Sequence, residues 1–166
     1  MRQGGGKEMK NTYISILIQS LEKKLRVLDE IIAKNHVQRE GLEDPNLDPD
    51  DFDKTVKDKA ALIEQLEGLD SGFEDVFERV KKELETNRGI YREEIKKMQE
   101  LIRKITDKSM LIRRQEAENK RLMEQKFAAV RRQVKEVRQS QKVVNQYYKN
   151  MMKSGYVEPQ FLDNKK

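Results

Sequence analysis

Apolar residues recur alternately three and four positions apart through most of this chain. One such seam runs Phe127, Val130, Val134, Val137, Gln141, Val144, Tyr148 and Met151, with a single polar member. The mean spacing, about 3.5 residues, is that of helices packed side by side. From Gly72 to Gly155 there is no proline and one internal glycine, Gly89, so little interrupts helix formation there. The pattern predicts an all-α fold: an elongated antiparallel helical bundle, or coiled coil, of three long helices.

The first helix is expected over 12–40. Asn11 or Thr12 suits its N-cap, Ile14, Ile18, Leu21, Leu25, Leu28 and Ile32 form its seam, and Gly41 suits its end. The second is expected over 49–87. Asp48 suits the N-cap and Pro49 the first helical position, and Asp50 and Asp51 favour the positive end of the helix dipole. Its seam is Phe52, Val56, Ile63 and Leu66, resuming at Phe73, Phe77, Val80 and Leu84. Gly68 and Gly72, with Ser71 and Glu74 at capping-box spacing, make 68–72 a weak point where this helix breaks or kinks. Thr86, Asn87 and Gly89 favour a turn over a single helix running on from Ser71. The third helix is expected over 90–152, on Tyr91, Ile95, Met98, Ile102, Ile105 and Ile112. Its seam then meets a polar stretch that places Glu116 and Asn119 on it. A buried asparagine there fixes register at a cost in stability, whereas the alternative is an exposed stretch where the bundle is thin. Residues 1–10 read as a flexible glycine-rich leader, 11–152 as the bundle and 153–166 as a tail.

Composition narrows the function. Charged residues are 39% and aromatic ones 6%, too polar for a thick globular core but sufficient for helix seams. There is no cysteine, hence neither a disulfide framework nor a thiolate metal site. No apolar run approaches the ~20 residues of a bilayer span, and a cytoplasmic protein without membrane contact is the simplest reading. His36 is the only histidine and cannot build a metal site alone. The cluster at Asp48 lacks a calcium loop's glycine and glutamate, since Asp53 and Lys59 stand at those positions. With no phosphate-binding glycine loop, the chain reads as a non-enzyme with no cofactor and no metal.

The remaining signals point to a surface. Residues 103–153 hold 15 basic and 5 acidic side chains, whereas 1–102 hold 18 basic and 23 acidic. Val137, Val143, Val144, Tyr147, Tyr148, Met151 and Met152 crowd the last helical turns. If the third helix is the longest of three, part of it overhangs, and exposed apolar surface calls for a partner. Methionine and tyrosine suit an adaptable contact. Arg131, Arg132, Lys135 and Arg138 stand beside it to attract an acidic partner. The alternatives are plain core packing within the bundle, a homodimer seam in a structural coiled coil, and a basic helical protein binding nucleic acid. Nucleic acid is disfavoured because the basic residues alternate with seam positions and no reading motif is present.

A family resemblance adds to this. The stretch Lys59-Ala60-Ala61-Leu62-Ile63-Glu64-Gln65-Leu66-Glu67-Gly68-Leu69-Asp70-Ser71-Gly72-Phe73 resembles the second-helix region of flagellar export chaperones of the FlgN type. Ile112 to Phe127, with Glu116, Asn119 and Leu122, is similar to that family's third helix. Tyr147-Tyr148-Lys149-Asn150-Met151-Met152, followed by Phe161-Leu162-Asp163-Asn164-Lys165-Lys166, resembles the ending of clostridial members. The resemblance implies a small cytoplasmic chaperone of flagellar type III secretion. Such chaperones hold hook–filament junction or cap subunits before export and hand them to the export apparatus, with no catalytic site or cofactor. The family's C-terminal helix binds the client, which implies that role for the cluster at Val137 to Met152. The acidic linker Glu43 to Asp53 is a departure from the family's pattern.

Overall fold

The computed structural model describes the backbone of residues 2–128 and 131–154 and the side chains of 12–128 and 138–151. It is all-α among these residues. The helices are α1 (Arg2–Glu43), α2 (Pro49–Thr86), α3 (Arg92–Lys126) and α4 (Arg131–Ser154). α1 packs on both α2 and α3, and α4 packs on the same two helices. Going round the elongated bundle, the order is therefore α1, α2, α4, α3.

Four helices replace the expected three because the segment expected as one helix over 90–152 is divided between α3 and α4. Arg138 pairs with Glu124 at 2.8 Å and Gln141 donates to Glu116, so α4 runs antiparallel to α3. No proline or glycine marks this reversal. It is driven from elsewhere: a helix continuing past Lys126 would carry its apolar seam into water, while the hairpin buries Val144, Tyr148 and Met151 in the main core. Phe127, the C-cap residue of α3, anchors the turn in a second cluster with Leu42, Phe52, Val56 and Met123.

The other boundaries follow local chemistry. Asp48 caps α2 by accepting the Asp50 N–H at 3.0 Å, and Pro49 takes the first helical position. At the far end, the Asn87 and Tyr91 amides close the turn around Gly89, and α3 begins at Arg92. α2 runs unbroken through 68–72. Each glycine costs about 1 kcal/mol there relative to alanine. Leu66, Phe73 and Phe77 stay on one buried face, and Asp70 between them is held by Lys24 and Tyr147, which offsets that cost. The backbone of α1 is helical from Arg2, within the stretch expected as a leader. The tail from Gly155 onward lies outside the described residues.

On α1 the deeply buried positions are Ile14, Leu17, Leu21, Lys24, Leu28, Ile31, Asn35 and Gln38. Ile18, Leu25 and Ile32, placed on the seam by the apolar pattern, are partly buried on its flank. The difference follows from topology, since a helix gripped by two neighbours buries a wide stripe and its deepest line need not be its most apolar one.

Candidate functional site

α4 is the shortest helix, with 24 residues against 35 in α3, so it covers only the part of α3 nearest their turn. Its inward face is Gln141, Val144, Tyr148 and Met151, all buried. Tyr147 is partly buried and meets Tyr148 edge-on, with ring centroids 5.3 Å apart. Val143 points outward and is 63% exposed. Arg138 is exposed and paired with Glu124. The other expected contact residues, Val137, Met152, Arg131, Arg132 and Lys135, lie outside the residues whose side chains are described. The apolar cluster read from the sequence is thus turned mostly into the bundle.

Two polar layers, the first fully buried and the second partly so, hold α4 there. The first draws on all four helices. Lys59 of α2 donates to Glu116 of α3 at 2.6 Å and to Asn35 of α1 at 2.7 Å. Gln141 of α4 donates to the same Glu116 oxygen. Asn35 also donates to Gln115 at 3.1 Å, and Asn119 donates to the Asn35 carbonyl at 3.0 Å. Lys59 is 1% and Glu116 0% exposed, so the ion pair is fully withdrawn from water. Burial pushes the Lys59 ammonium below the usual lysine range, against the opposing pull of Glu116. The second layer joins Lys24 of α1 to Asp70 of α2 at 2.6 Å, and Tyr147 of α4 donates to the other Asp70 oxygen. Here too burial lowers Lys24, with Asp70 opposing.

The sequence pattern placed Glu116, Asn119 and Gln141 on helix seams, and they are buried. It missed Lys24, Lys59 and Asp70. The signal was available: Lys59 and Asp70 continue the three-four spacing of Phe52, Val56, Ile63, Leu66 and Phe73. A lysine on a seam in one helix and a glutamate on a seam in another form a candidate buried pair.

Tyr148 completes the site. Its ring is fully buried and its hydroxyl makes no hydrogen bond among the described residues. Burial, reinforced by the charges of Glu116 and Asp70, lifts its pKa well above the ordinary tyrosine value of 10.0. Replacing Tyr148 by phenylalanine removes a buried unpaired hydroxyl and should stabilise the fold by about 1 kcal/mol near neutral pH. The folded pKa is raised, so Tyr148 stays protonated in the bundle while the unfolded chain ionises above about pH 10. Its contribution is complete below that pH and declines as pH rises through it. The advantage of Tyr148→Phe should therefore widen between about pH 7 and about pH 11 in urea unfolding. An advantage independent of pH would mean that the hydroxyl ionises as freely in the bundle as in the unfolded chain.

Among the described residues no group of three or more His, Cys, Asp or Glu is placed to hold a metal ion. Among them also, no helix is long and apolar enough to cross a membrane. Glu116 accepts from Lys59 and Gln141 through one oxygen, and Asp70 accepts from Lys24 and Tyr147 through both of its oxygens. What the site offers is a helix held by two polar layers and an apolar seam between them.

The family model described as FlgN protein matches residues 9–153, which takes in nearly all of α1 to α4. No curated protein and no solved structure matches the chain significantly.

Proposed function

The chain belongs to the FlgN protein family, and from that membership we propose that it is a cytoplasmic export chaperone that holds hook-associated subunits, those of the hook–filament junction or the cap, for flagellar type III secretion. The chain is not an enzyme, in keeping with a family of non-catalytic chaperones. The observation that carries the reading is the extent of the family match, which runs through α4 almost to its end.

In this reading the client is held through α4. Val144, Tyr148 and Met151, with Tyr147 beside them, form the seam for an amphipathic client segment. Val137, Val143 and Met152 extend it along the helix. Arg131, Arg132, Lys135 and Arg138 attract acidic client residues and speed encounter. In the free chain the seam is buried against α2 and α3. Client binding and α4 docking therefore exclude one another, and docking keeps the seam from water until a client arrives.

The test is co-purification of the tagged chain from its own cells at moderate and high salt, with bound proteins identified by mass. The expected result is a hook-associated subunit that survives high salt and is lost when residues 131–166 are removed. Nucleic acid that washes off with salt would instead support the basic-helix alternative. Recovery of the chain alone would leave a self-associating bundle.

A further inference from the structure

The inference rests on the chaperone reading and concerns what α4 leaves behind. When α4 withdraws, its seam is uncovered, but so is the trough between α2 and α3 in which it lay. Val144, Tyr148 and Met151 belong to one core cluster with residues of both those helices. A client covering only the α4 seam would leave that side of the cluster open to water, at an unfavourable free energy proportional to its apolar area.

We infer that the trough between α2 and α3 is a second client-binding surface, taken by an amphipathic client helix that carries hydrogen-bond donors six residues apart. α4 itself shows what the trough accepts. Gln141 donates to Glu116 and Tyr147 to Asp70, six residues further along the same helix. That offset spans about 9 Å along a helix axis. Both acceptors are carboxylates, so charge-assisted donors suit them best. Between them the trough takes apolar side chains, as it takes Val144 and Tyr148.

α4 is an imperfect occupant. The Oε2 atom of Glu116 is buried and accepts no hydrogen bond among the described residues, and the Tyr148 hydroxyl is likewise unpaired. A client helix whose donor reaches both Glu116 oxygens, with a purely apolar residue in the place of Tyr148, satisfies the trough more fully than α4 does. Its fit supplies the preference that lets it displace a tethered competitor.

The experiment uses the full-length chain carrying Gln141→Glu, which sets a second carboxylate against Glu116 and drives α4 out. The probe is a fluorescent peptide of residues 131–154, standing in for the client helix. The peptide should bind the Gln141→Glu chain one to one and at least about tenfold more tightly than the unaltered chain. A peptide bearing Gln141→Ala and Tyr147→Phe should bind that chain at least about tenfold more weakly, since it loses two hydrogen bonds to charged groups. Equal binding to both chains, or none to a Gln141→Glu chain whose helicity is intact, would overturn the inference. If Gln141→Glu unfolds the bundle, Val144→Ala with Tyr147→Phe loosens α4 more gently and is read the same way. A co-purifying hook-associated subunit should then displace the peptide. A subunit that binds without displacing it sinks the trough assignment and leaves the chaperone reading standing, whereas the absence of any bound subunit removes the reading itself.

Discussion

Replacing Glu116 by leucine should cost the fold about 3–5 kcal/mol, because the Lys59 ammonium is left buried without its counter-charge. Lys59 lies 2.6 Å from Glu116 and both are shut off from water. Water cannot reach the stranded ammonium without opening the bundle at this layer. Lys59→Met alone should also destabilise strongly, since it strands the carboxylate, although Gln141 still donates to one of its oxygens. The double variant Lys59→Met/Glu116→Leu should recover most of the loss and lie close to the parent chain. That outcome follows because the attraction within a buried pair roughly offsets the cost of desolvating it. Urea unfolding of the four chains closes the cycle. Single-variant losses under about 1 kcal/mol would show that the layer is hydrated or the pair uncharged.

The reason to keep so costly a layer is specificity. Four helices with similar leucine-rich and isoleucine-rich seams can slide past one another by a turn with little change in buried area. A lysine of α2 that must meet an asparagine of α1 and a glutamate of α3, with a glutamine of α4 on that same glutamate oxygen, permits one register. Lys24, Asp70 and Tyr147 impose the same register a second time, further along α4. Both layers include one residue of α4, so each states where α4 belongs. A helix docked this way is placed accurately by its polar contacts as well as by its apolar seam.

The sequence made much of this legible, and the failures share a cause. Caps and turns were readable because they depend on a few local groups: Asp48 and Pro49 at the start of α2, Asn87 and Gly89 before α3. The α4 face was readable because Gln141, Val144, Tyr148 and Met151 keep strict helical spacing. The polar layers were half visible, because glutamate and asparagine on a seam invite attention whereas lysine is assumed to lie on the surface. The weak point at 68–72 did not break the helix, because Asp70 is held from two sides by residues distant in sequence. The α3–α4 reversal left no local trace, since Phe127-Ala128-Ala129-Val130 contains no helix breaker. Its cause is the burial of side chains many residues away, which no local window contains.

Phe127→Ala should test that cause and cost the bundle about 3–5 kcal/mol. The Phe127 ring packs against Phe52 with centroids 5.7 Å apart, in the cluster that pins the turn end of the bundle. Without that anchor the hairpin loses much of its advantage over its simplest competitor, in which α3 continues into α4 as one helix. Extended in this way, α4 cannot reach its own trough but can reach that of a second copy, where Glu116 and Asp70 offer the same acceptors. The variant should therefore form a domain-swapped dimer whose fraction rises with concentration, beyond any dimer formed by the parent chain. Light scattering across a concentration series measures that fraction, and Phe127→Leu, which keeps most of the buried area, should fall near the parent. A Phe127→Ala chain with unchanged stability and no added dimer would mean that the reversal is set by α4 docking alone. A three-helix reading was natural because the sequence between Lys126 and Arg131 holds no proline or glycine to oppose a continuous helix, so the choice between the two forms falls to packing.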